Sequence, residues 1–166
     1  MEAIFLRRSV RKFTKEKVAA EAIEYILKAA MAAPSAGNQQ PWEFVVIDDR
    51  TVLNKIPSVH PYAEMMKEAS VAILVCGNLE REERKGFWIQ DCAAATENLL
   101  LAATTQGLGS VWLGVYPRED RVEGLRALLQ LPEHIVPFAL VPVGEPDEHK
   151  PPSNRYDAAR VHRNKW

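Results

Sequence analysis

Cysteine is scarce in this chain, and its placement rules out the usual roles. Cys76 lies in a strand-like apolar run and Cys92 in a helix-like one, without CxxC spacing or a histidine arrangement that could hold a metal. Both read as reduced core residues, and no metal site is expected. No apolar run approaches the ~18 residues of a membrane span, and Arg7 and Arg8 interrupt any N-terminal signal-like stretch. The expectation is a cytoplasmic protein with no membrane partner. Aromatic residues make up only 8%, with no basic-aromatic platform, and the formal net charge is −1, so nothing favours nucleic acid globally. The four histidines, His60, His134, His149 and His162, pair with no serine or cysteine nucleophile, and no carboxylate couple stands out. Hydrolysis by side chains alone is therefore disfavoured, and an enzyme built on this chain would borrow a cofactor.

What is present fits one domain spanning residues 1–166, with 47% hydrophobic residues available for a core. Charge is unevenly distributed: residues 1–17 and 149–166 each carry a formal +4, which leaves −9 for the middle. If the two ends meet, they make an anion site on an otherwise acidic protein. Apolar spacing predicts an amphipathic helix over 18–33, ended by Pro34, and further helices over Tyr62–Ala69, Phe87–Gln106 and Glu119–Leu129. Strands are predicted at Trp42–Ile47, Ser70–Cys76, Ser110–Tyr116 and Phe138–Val143, the second apolar throughout, as a strand covered on both faces must be. Helices and strands mix without strict alternation, so the fold class is α+β. The helix over Phe87–Gln106 is alanine-rich, narrow and apolar around much of its circumference. It is either the central helix of a monomer or packs on its copy in a second chain.

Three stretches carry chemistry. Arg7-Arg8-Ser9-Val10-Arg11 supplies guanidinium donors and a hydroxyl, the shell a phosphate requires. Pro34-Ser35-Ala36-Gly37-Asn38-Gln39-Gln40-Pro41-Trp42 breaks regular structure and concentrates four hydrogen-bonding side chains in one loop, where a flat ligand with polar edges could rest. Gly107-Leu108-Gly109-Ser110-Val111-Trp112-Leu113-Gly114 is glycine-rich, but it lacks the Lys-Ser/Thr end of a P-loop and follows no strand. Gly114 would let a flat group approach the backbone.

Together with Val161-His162-Arg163-Asn164-Lys165-Trp166, these motifs resemble, in order and spacing, the nitroreductase family of flavin enzymes. The resemblance implies a central, mostly antiparallel sheet flanked by helices, an intertwined homodimer, and two flavin mononucleotides (FMN) in its interface. It implies that Arg7, Arg8 and Ser9 hold the ribityl phosphate with a basic residue of the C-terminal tail, Arg155 first and Arg160 as the other candidate. Arg11 would reach the N1 and C2 carbonyl side of the ring, where positive charge favours the reduced anion. From the partner chain, Pro34, Ser35, Ala36 and Asn38 would line the ring, with Gln40 ordering the loop. The backbone of Trp112, Leu113 and Gly114 would pass the other face and the N5 edge. NAD(P)H would then donate a hydride that passes in a second step to a small electron-poor acceptor, a nitroaromatic or quinone.

Two departures bear on the substrate. Gly114 stands where some relatives have an acidic residue, and the Gly77–Gly86 link is short where larger members insert covering helices, which suggests a more open pocket. Flavin-dependent dehydrogenation or dehalogenation on the same fold is the alternative. A non-catalytic protein whose basic ends bind an anion or nucleic acid is the reading from a different class.

Overall fold

The computed structural model describes residues 2–166. Five strands form one antiparallel sheet: β1 (Trp42–Ile47), β2 (Val71–Asn78), β3 (Gly109–Ser110), β4 (Leu113–Gly114) and β5 (Ile135–Gly144), in the order β1-β2-β5-β3 with β4 also on β5. In β2 all eight residues are buried, and the alternation of a strand divides them between two cores. Val71, Ile73 and Val75 pack with Ile26 of α2 (Ala20–Met31) and Leu99 of α4 (Trp88–Thr105). Ala72, Leu74 and Cys76 face Leu53 of α3 (Arg50–Lys55), Met66, and Leu125 of α5 (Glu119–Leu129). Helices thus cover both faces, as an entirely apolar strand requires. Burial pushes the Cys76 thiol up to about 12 and the Cys92 thiol upward as well, so both are inert. Among the described residues, no helix is long and apolar enough to cross a membrane.

The strand predicted over Ser110–Tyr116 is instead two short pieces. Both keep one register against β5, with Ser110 opposite Val143 and Leu113 opposite Leu140. The gap at Val111-Trp112 falls where that register puts Pro142, which has no N–H to donate, so the ladder lapses there. The helix predicted over Tyr62–Ala69 shrinks to a 3-10 turn at Glu64–Lys67, too few residues to offset helix nucleation. Helix α3 had no counterpart in the sequence reading. Asp49 caps it by accepting the Thr51 N–H, while Leu53 and Ile56 anchor it in the core.

The two ends of the chain do meet. Thr14 N–H donates to Glu145 O at 2.9 Å, Asp147 N–H to Lys12 O at 2.9 Å, and Phe13 bridges Pro146. A one-turn helix, α1 (Ala3–Leu6), leads into this segment and packs on α4, with Ile4, Phe5 and Leu6 exposed.

Candidate active site

Residues 7–11 leave α1 in extended form and are fixed by their alternate members. Ser9 bridges Ser110 of β3, and Val10, whose amide donates to Ser110 O at 3.0 Å, is buried against Gly109. A Cβ on Gly109 would lie 2.7 Å from Val10, so glycine is what lets the segment sit so close to β3. The Arg11 amide donates to Glu148, and Lys150 Nζ reaches back to the Ser9 carbonyl across 141 residues of sequence.

Around this seam opens a cleft of about 310 Å³ lined by Arg7, Arg8, Ser9, Arg11, Lys150 and Arg155. Glu148 is the counter-charge inside the seam, 3.1 Å from Lys150. The Arg11 amide first, and then Lys150, hold its carboxyl below the usual range. Glu97 lies 3.3 Å from Arg7 Nε but out of line for a hydrogen bond, so that buried N–H stays unsatisfied, as does the buried hydroxyl of Ser110, the residue that bridges Ser9. Unspent donors and clustered guanidinium groups fit an anion with several oxygens.

The 34–42 loop is built on a buried carboxylate. Asp91, in the first turn of α4 and 4% exposed, accepts the Ala36 N–H at 2.9 Å and the Gln39 side-chain amide at 2.6 Å. Gln39 in turn accepts the Arg84 N–H at 2.8 Å, which ties the short charged link to the loop. Ser35 Oγ accepts the Gln40 N–H at 3.0 Å, so Gln39, rather than Gln40, makes the side-chain contacts that order the loop. Gly37, Asn38 and Gln40 all have positive φ, a concentration of backbone strain of the kind functional loops retain. Pro34, Asn38 and Gln40 are exposed, and Ser35 and Ala36 half-exposed.

Just before β4, Trp112 packs edge-on to Phe138; on the strand Leu113 is buried and Gly114 is open, with nothing within 4 Å of where a Cβ would stand. Its carbonyl accepts from His60 and Arg121. The fold therefore joins Arg7, Arg8, Ser9 and Arg11 with Arg155. Arg160 stands apart, paired with Asp157 at 3.2 Å. None of the loop residues lines the arginine cleft within one chain. Two residues of the site, Glu148 and Asp91, lay outside the sequence reading, and Lys150 entered it only as part of the basic C-terminal end. Asp91 did leave a signal, as a lone carboxylate opening the alanine-rich stretch of the long helix.

The Nitroreductase family model matches residues 4–59 and 51–145. A Methanothermobacter thermautotrophicus protein provisionally named NADH dehydrogenase/NAD(P)H nitroreductase is 51% identical over 166 residues, covering all of this chain and 87% of its own length. A Clostridium acetobutylicum structure provisionally named NADH oxidase superposes with a TM-score of 0.96 at 44% identity, over 99% of each chain. A Desulfovibrio desulfuricans nitroreductase-type structure, in complex with FMN, reaches 0.85 at 31% identity over 99% of this chain and 96% of its own. With the sheet, the basic cleft and the matched relatives in agreement over nearly its whole length, this chain belongs to the nitroreductase family of oxidoreductases.

Proposed function

We propose that this chain is an FMN-dependent oxidoreductase that moves a hydride from NADH or NADPH to an electron-poor acceptor, a nitroaromatic or a quinone, in a two-step exchange. The observation that carries the reading is the cleft. Five cationic side chains and a serine converge on it from opposite ends of the sequence, in a family where a relative with 31% identity is solved with FMN. Arg7, Arg8, Ser9, Lys150 and Arg155 hold the ribityl phosphate by charge-assisted hydrogen bonds. Arg11 shares that cleft, with its amide tied back by Glu148, and its guanidinium holds positive charge beside the ring. Bound FMN supplies reversible hydride acceptance, and the chain supplies position and charge.

In this reading the protein works as a homodimer. A second copy brings its Pro34, Ser35, Ala36, Asn38 and Gln40 to the ring, while Trp112, Leu113 and Gly114 meet the ring from the first chain. The exposed Ile4, Phe5 and Leu6 of α1 and the largely exposed residues 151–166 supply apolar and polar surface for that contact. Two free, buried thiols accord with a cytoplasmic protein.

The test is the visible spectrum of the purified protein, recorded anaerobically before and after NADH and NADPH are added in turn. Flavin bands that bleach with a nicotinamide and return with a quinone are expected. A colourless protein that takes up no added FMN overturns the reading.

A further inference from the structure

The Gly114 carbonyl is gripped from two directions. His60 Nε2 lies 3.0 Å away and Arg121 Nη1 2.7 Å, the first from the turn that follows α3 and the second from the start of α5. His60 is 1% exposed, and its other nitrogen, Nδ1, accepts the Tyr62 N–H at 3.3 Å. That acceptor role places the ring proton on Nε2, where it faces Gly114. Burial holds the imidazole below its usual value, so the ring donates as a neutral group at neutral pH. Arg121 lies over the Tyr62 ring at 5.3 Å, and its buried Nε has no other partner.

Packing around Gly114 does not call for so firm a hold. Gly114 has open space where a Cβ would stand and no left-handed backbone, so packing does not require glycine there. Glycine at an exposed strand position has the widest conformational freedom of any residue, and two donors on its carbonyl remove that freedom. In an extended residue the N–H and C=O point to the same side of the strand. The carbonyl, bonded to His60 and Arg121, faces away from β5, and the Gly114 N–H therefore faces away with it, toward the sheet edge that β4 forms.

We propose that His60 and Arg121 are positioning residues which, by holding the Gly114 carbonyl, aim the Gly114 N–H at the edge of the ligand bound beside β4. This rests on the flavin reading above. It assigns a purpose to a buried histidine and a half-buried arginine that make no contact with the phosphate cleft.

The test compares His60→Leu, His60→Gln and Arg121→Met in the FMN-loaded protein, reading hydrogen–deuterium exchange of residues 110–117, the midpoint potential of the bound flavin, and kcat against KM for NADH. In His60→Leu and Arg121→Met, loss of one hydrogen bond is expected to raise local exchange and lower kcat by about tenfold each, with KM unchanged and the potential moved. His60→Gln, whose side-chain amide can replace the Nε2 donor, should restore all three. Wild-type exchange and potential in Arg121→Met, or no rescue by His60→Gln, would overturn the proposal. If His60→Leu fails to fold, Arg121→Met decides. Should the wild-type protein bind no FMN, the flavin reading fails separately, and faster exchange at residues 110–117 of the apo variants still measures the clamp.

Discussion

The Asp91 carboxylate and the Gln39 side-chain amide are 2.6 Å apart, and through that contact a residue of the long helix fixes a loop 52 positions earlier in the sequence. The other carboxylate oxygen holds the Ala36 amide, so neither oxygen is spare. In Asp91→Asn one acceptor becomes a donor facing another N–H, in a site closed to water. A loss of about 1–3 kcal/mol is expected in urea unfolding, together with weaker flavin binding. Wild-type stability in Asp91→Asn would show that the loop has another anchor.

Arg155 and Arg160 separate cleanly. Removing a charged hydrogen bond to phosphate costs about 1.5–3 kcal/mol, so Arg155→Ala should weaken FMN binding by about ten- to a hundredfold in a fluorescence titration. Arg160 pairs only with the exposed Asp157 and does not line the cleft, so Arg160→Ala should stay within about twofold of wild type. Equal losses would place both arginines on the ligand.

Two glycines predict opposite outcomes. A Cβ at Gly77 would lie 2.3 Å from the Trp88 ring, so Gly77→Ala should destabilise the fold by about 1–3 kcal/mol in thermal or urea unfolding. At Gly114 the same change meets nothing. Gly114→Ala should leave stability unchanged and weaken flavin binding, because the added methyl intrudes only on what docks over β4. A destabilised Gly114→Ala, or one that binds flavin as wild type does, would contradict this.

Acidification should act in two stages. The folded protein holds His60 below the ordinary imidazole value of 6.5, mainly through burial, so the unfolded chain binds the extra proton and stability falls as pH drops below that value. Glu148 is held below its ordinary 4.5, chiefly by the Arg11 amide, so its contribution is present above that value and is lost as pH falls further. Urea midpoints measured across this range should show both declines, and His60→Gln should remove the upper one. An upper decline that persists in His60→Gln would trace it to another group.

Much of this was legible in the sequence. The Trp42–Ile47 strand and the Glu119–Leu129 helix stand where their patterns put them, and β2 is buried on both faces as its unbroken apolar run demanded. Helix α3 was missed because six residues leave too short a period to detect, although Asp49 offered a cap. The break at Val111-Trp112 could not be seen locally, since its cause, Pro142, belongs to another strand and becomes relevant only through register. The arginine triplet was visible as a local motif. Glu148 and Lys150 were not, because they meet it from 137 and 141 positions away, and no periodicity reports contacts that distant.

The seam between the two ends of the chain also has a temporal side. The residues of both cores of the sheet all precede residue 145 in the sequence, so the segment that closes the cleft is made after the residues it closes against. An anion bound there would tie residues 7–11 to residues 150–155 and stabilise the folded protein by mass action.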